Sequence, residues 1–106
     1  MTIKRWKELN DYLLSISECG NEIGGDNHCY RIDDGNYVRE EEYENVFKND
    51  LEKLQWQVIC NLQTVEGLSL KDAKTKVNKM SRKELEIKAV MLAMDENACV
   101  YYTTGW

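Results

Sequence analysis

From Tyr43 to Val65 the apolar side chains Tyr43, Phe47, Leu51, Leu54, Val58, Leu62 and Val65 recur at spacings of three and four residues, which predicts a helix with one buried stripe. Gly67 supplies the stop, because glycine adopts the left-handed conformation that ends many helices. Trp56 and Ile59 widen the stripe, so the second half of this helix needs cover on more than one side. It is predicted to be the spine of the core, running from about Glu40, with Asn49-Asp50 as the place where it would break or kink.

The remaining elements are read against that spine. Thr2 can cap a first helix in which Trp6, Leu9, Leu13 and Ile16 share a face, with Gly20 as its end. Ser69 with Asp72, and Ser81 with Glu84, match the Ser-x-x-acid capping pattern and predict helix starts at residues 70 and 82. The helix from 70 places Leu70, Ala73, Val77 and Met80 together, opposite Lys71, Lys74, Lys76 and Lys79. The helix from 82 has Leu85, Ala89 and Leu92 on one flank and Ile87, Val90, Met91 and Met94 on the other, so both flanks need cover. That cover is either the core of a monomer or the seam of a homodimer. Cys29 to Ile32 and Tyr37-Val38 flank Asp33-Asp34-Gly35-Asn36, which reads as a hairpin near 29–38 with Asp34-Gly35 at its tip. Residues 98–103 are rich in aromatic and β-branched side chains and read as a final strand. The expectation is an α+β chain of about four helices and a small antiparallel sheet.

At 106 residues, 42% hydrophobic and 31% charged, the sequence suits one domain, 1–106, whose core needs no stapling metal or disulfide framework. The longest apolar run, Ala89 to Met94, is far short of the ~20 residues that cross a bilayer, so no membrane partner is expected. Lys4, Arg5 and Lys7 are followed at once by Glu8, Asn10 and Asp11, not by the apolar stretch of a signal peptide, and the expected location is cytoplasmic.

Motifs that carry chemistry are scarce. Cys19, Cys29, Cys60 and Cys99 include no C-x-x-C pair, and His28 is the only histidine, so neither a metal site nor a Cys-His nucleophile is the expected reading. Residues 20–27 hold three glycines but lack the Gly-Lys-Ser/Thr ending of a phosphate loop. A calcium loop with Gly35 at its sixth position would put Tyr30 and Ile32 where oxygen ligands belong. The chain is therefore expected to act without catalysis and without a cofactor.

Charge layout carries the functional expectation. The net charge of −5 is unevenly spread: residues 1–70 hold twice as many acidic as basic side chains, and residues 71–106 a basic excess. The acidic stretch contains Asp33, Asp34, Glu40, Glu41 and Glu44, and a row at Glu40, Glu44, Lys48 and Glu52 has helical i,i+4 spacing. Such a row, about 5–6 Å per step, imitates the spacing of anions that a basic groove accepts. The predicted function is an acidic inhibitor that occupies the nucleic-acid-binding surface of a basic partner protein, similar in general type to anti-restriction, anti-CRISPR or toxin-immunity proteins. Direct nucleic-acid binding is disfavoured by the overall charge. The alternative is a small nucleic-acid-binding regulator, dimeric or not, using Lys71, Lys74, Lys79 and Arg82.

Overall fold

A computed structural model describes residues 1–19, 28–33 and 35–104. In chain order the elements are α1 (Ile3–Ile16), β1 (Glu18–Cys19), β2 (His28–Asp33), β3 (Asn36–Arg39), α2 (Glu40–Val46), α3 (Asp50–Val65), α4 (Leu70–Asn78), α5 (Arg82–Ala93) and β4 (Tyr101–Thr104). The α+β reading holds. Among the described residues there are five helices, because the stretch expected as one helix from Glu40 to Val65 is two. Asn49 is the cause of the division. Its backbone is fully extended, and its Oδ1 accepts the N–H of Glu52 at 2.9 Å, the geometry of an N-cap that restarts a helix.

The other helix starts obey the same rule. Thr2 Oγ1 accepts from Arg5 N at 3.1 Å, and Ser69 Oγ accepts from Asp72 N at 3.1 Å. Ser81 and Glu84 form a reciprocal capping box, with Ser81 Oγ accepting from Glu84 N and Glu84 Oε1 accepting from Ser81 N. The end of α1 comes earlier than Gly20. Ser17 closes the helix, both its N–H and its hydroxyl donating to the Leu14 carbonyl, and the chain then enters β1.

The four strands of the described residues pair antiparallel in the order β1-β3-β2-β4. The hairpin has Tyr30 opposite Val38 and Arg31 opposite Tyr37, with a register shift between Arg31 and Asp33 that leads to Gly35 at φ +78°. The C-terminal strand lies against β2, with Tyr30 opposite Tyr102, but begins at Tyr101 rather than at Ala98. β1 was not foreseen. Two residues opposite Tyr37 and Asn36 are too short to leave a periodic signal.

Two clusters make up the core, and α3 separates them. On one side Trp56 and Cys60 pack with Leu9 and Leu13 of α1, Ile32 and Val38 of the sheet, Tyr43 and Val100. On the other, Val58, Ile59 and Leu62 pack with Ala73, Val77, Leu85, Ala89 and Leu92. This double cover is what the widened stripe on α3 requires. The flank of α5 bearing Leu85, Ala89 and Leu92 is buried, but the opposite flank is open, contrary to the expectation that both are covered.

Asn61 is fully buried on α3, yet every polar atom of its amide is used. Nδ2 donates to the Val100 carbonyl at 2.8 Å, and Oδ1 accepts from Cys99 N and Val100 N, each at 2.9 Å. One side chain thus holds the segment that leads into β4. Among the described residues no helix is long and apolar enough to cross a membrane.

Candidate functional site

Helix α2 has only seven residues, and its position depends on one of them. Tyr43 is fully buried, its ring stacked on Tyr30 at 3.9 Å and edge-on to Trp56 at 6.2 Å. Glu40, Glu41 and Glu42 occupy the first turn, where negative charge suits the exposed N–H groups of the helix. With Tyr43 pointing inward, the acidic side chains are distributed to either side of it.

Glu44 lies on the sheet side. Its carboxylate accepts the Tyr30 hydroxyl at 3.2 Å and the Lys53 ammonium at 2.5 Å. Burial and then the Glu44 charge push the Tyr30 hydroxyl pKa up to about 12. Burial and then the charge of Glu40 raise the Tyr102 hydroxyl, and Glu40 contributes to the rise at Tyr30 as well, so Glu40 shares that side. Glu41 and Glu42 line a different surface. With Asn45 and Val46 they form one wall of a cleft of about 690 Å³, and Arg5, Glu8, Leu9, Tyr12 and Ile16 of α1 form the other. Its lining joins three exposed carboxylates, Glu8, Glu41 and Glu42, to the more buried Leu9, Ile16 and Val46.

Asp33 is elsewhere. It ends β2 at the hairpin tip, separated from α2 by the four residues of β3, roughly 13 Å of strand. Its charge acts on the Cys99 thiol, whose pKa is raised first by burial and then by Asp33. Asp34 lies outside the described residues. The expected acidic residues therefore divide into Glu40 with Glu44 on the sheet side, Glu41 in the α1–α2 cleft, and Asp33 at the tip.

Local cations neutralise part of the acidic stretch. Arg5 Nε and Nη2 hold the two oxygens of Glu52 at 3.1 and 2.9 Å, and this pairing keeps the Glu52 carboxyl below its usual range. The expected row through Glu44, Lys48 and Glu52 is broken by the interruption at Asn49, so Glu44 takes Lys53 and Glu52 takes Arg5. Among the described residues the side chains of Glu40, Glu41 and Glu42 form no ion pair. Arg5, the one cation lining the cleft among the described residues, is already shared between Glu52 and Glu8, the latter at 3.7 Å. The cleft therefore keeps a negative excess.

The basic helix is partly neutralised in the same way. Lys76 and Lys88 converge on Glu66 at 3.0 and 2.6 Å, holding its carboxyl below the usual range. Arg82 pairs with Glu86 at 3.1 Å. Lys71, Lys74 and Lys79 carry no ion pair among the described residues.

The thiols are arranged for packing. Cys29 and Cys60 are buried and Cys99 partly so. Burial raises the pKa of all three, Cys99 to about 11, which keeps the thiolate scarce at neutral pH. Cys19 alone is exposed. In the native protein Cys19 is expected to react with iodoacetamide at the rate of an ordinary thiol. The other three should lag at least tenfold until denaturant is added, as peptide mass spectrometry of timed samples will show. Prompt labelling of Cys60 would contradict the burial. His28 Nδ1 bonds the Tyr102 hydroxyl across the β2–β4 pair, and no group of three potential metal ligands is found among the described residues.

Comparison of the chain with protein-family models, with curated proteins and with solved structures finds no match. The site is consequently defined by its chemistry alone. Sequence reasoning found Glu41 but missed its cleft partners Glu8, Tyr12 and Glu42. Glu8 and Tyr12 lie one helical turn apart on α1, yet no spacing in the sequence shows that α1 packs beside α2.

Proposed function

We propose that the protein acts by binding and not by catalysis, as an acidic module that covers a positively charged, nucleic-acid-binding surface of a partner protein. The observation that supports this is the α1–α2 cleft, whose lining combines the exposed Glu8, Glu41 and Glu42 with the more buried Leu9, Ile16 and Val46, and whose Arg5 is already paired with Glu52. A lysine or arginine side chain suits such a cleft, because its apolar stem packs on the apolar residues while its charged head meets the carboxylates. Glu40 adds negative charge on the adjoining surface. Glu44, held by Lys53 and Tyr30, contributes to positioning α2.

The test is affinity capture from the native cell with the wild-type chain and with Glu41→Lys/Glu42→Lys as bait. The expected result is a nucleic-acid-binding protein that the wild type retains, that the variant loses at least tenfold, and that added salt or competing DNA releases. Both substituted positions are exposed, but they lie in the first turn of α2, so the melting temperature should fall by only a few degrees and the circular dichroism spectrum should be retained. Equal capture by both baits would refute the proposal. So would direct binding of DNA by the wild type that is lost on Lys71→Glu/Lys74→Glu, the outcome favouring the basic helix.

A further inference from the structure

Ile87, Val90, Met91 and Met94 are 53, 62, 63 and 81% exposed, and their spacings of three, one and three residues place all four on one side of α5. At 3.6 residues per turn that side is diametrically opposite Leu85, Ala89 and Leu92, which are buried. The other exposed large apolar side chains of the described residues, such as Tyr12, Leu14 and Leu51, are dispersed over α1 and α3. On α5 they form a continuous ridge. A cleft of about 510 Å³ with Val90, Met94, Tyr101 and Tyr102 in its lining flanks the ridge on one side. One of about 200 Å³ lined by Met80, Ile87 and Met91 flanks it on the other. A ridge with a hollow on either side is the shape that packs against another helix of the same kind.

The charges at the two ends of α5 identify that other helix. Arg82 and Lys83 open it beside Glu84, whose charge suits the helix dipole, and Asp95 and Glu96 follow its last turn, where negative charge does not. Arg82 is offset by Glu86, and Asp95 accepts the N–H of Asn97, but Lys83 and Glu96 have no ion-pair partner among the described residues. If two copies of α5 lie antiparallel about a two-fold axis, Lys83 of each copy comes within about one helical turn of Glu96 of the other. The two-fold also places Ile87 of one copy against Met94 of the other, and Val90 against Met91. A parallel pair would place like against like.

We propose that α5 is a self-association face, forming a two-fold antiparallel dimer through Ile87, Val90, Met91 and Met94 with Lys83 of each copy near Glu96 of the other. A two-fold face must complement itself, and this one does so in its apolar pattern and through Lys83 and Glu96, unpaired among the described residues. The apolar ridge is four side chains with Tyr102 at its edge, a smaller face than the roughly 20–30 residues that each partner of a standard interface contributes. The dimer is accordingly expected to be weak, assembling in the micromolar range. The inference does not depend on the acidic cleft, which α1 and α2 build.

Sedimentation velocity over a concentration series from about 1 μM to about 1 mM tests it. The wild-type mass should rise from 12.4 kDa toward twice that value. Met91→Lys, at a solvent-facing position, should remain monomeric throughout with an unchanged circular dichroism spectrum. Lys83→Glu and Glu96→Lys should each weaken association several-fold, and the double variant should restore it. Either single reversal improves the helix's own dipole interaction, so a loss of dimer cannot be ascribed to unfolding. A wild type that stays monomeric at every concentration overturns the proposal, leaving the ridge to a different protein. A Met91→Lys chain that still dimerises, or a double reversal that fails to rescue, overturns it as well.

Discussion

Asn61→Ala is expected to lower the unfolding free energy by roughly 3–5 kcal/mol, a large share of the 5–15 kcal/mol typical of a domain. The amide of Asn61 is the hydrogen-bonding partner of three backbone groups, Cys99 N, Val100 N and Val100 O, in a place that water does not reach. Removing it leaves those groups unsatisfied, at about 1–3 kcal/mol for each that stays buried. The loss should be local in origin. β4 is attached to the rest of the chain through this segment, so amide exchange at Tyr30 and Tyr102 should accelerate before that of α4 or α5. Asn61→Asp separates the donor from the acceptor role. It keeps oxygens for the two N–H groups but turns a second oxygen, without a proton, toward the Val100 carbonyl, and should also be destabilised. Urea denaturation measures both variants, and an Asn61→Ala midpoint equal to that of the wild type would show that the amide is dispensable.

The sequence made the helices legible wherever a local rule sets their ends. Ser69, Ser81 and Thr2 each place an oxygen where an N–H needs it, and the helices begin at the following residue. The hairpin is legible for the same reason, since Gly35, at φ +78°, supplies a turn conformation without help from distant residues. Asn49 shows the limit. Its cap competes with a helical period that runs through it from Tyr43 to Val65, and the sequence pattern alone does not weigh one against the other. The placement of α1 beside α2 depends on Leu9, Leu13, Tyr43 and Trp56 meeting in one cluster, a tertiary event that no spacing encodes. For that reason Glu41 was named while the cleft it lines was not. Ion pairing was illegible in a similar way: Glu52 meets Arg5 from 47 positions away, and Glu66 meets Lys88 from another helix. The α5 ridge presents the opposite case. Its pattern of two apolar flanks was plain, and only the fold reveals that the chain leaves one of them open.

Trp56→Ala should cost about 3–5 kcal/mol and loosen the candidate site along with the core. The indole is fully buried and edge-on to Tyr43, with Phe47 centred 5.8 Å away. Among the described residues its Nε1 has no hydrogen-bond acceptor. Truncation opens a void that Tyr43 and Phe47 border, and these are the residues that fix α2 and its exit toward α3. Trp56→Phe retains most of the packing and also removes the unpartnered N–H, whose burial is unfavourable, so it should cost less than half as much. The two core clusters give the prediction its spatial form. Val58, Ile59 and Leu62 face α4 and α5 from the far side of the same helix, so exchange protection there should fall only by the global loss of stability. Protection at Tyr43 and Val46 should fall further, because α2 loses the ring against which it is packed. A uniform loss in both regions would mean that α2 is held independently of Trp56. A preferential loss would show that the wall presenting Glu41 and Glu42 takes its rigidity from the α3 spine, and partner capture by Trp56→Ala should then weaken with the carboxylates still in place.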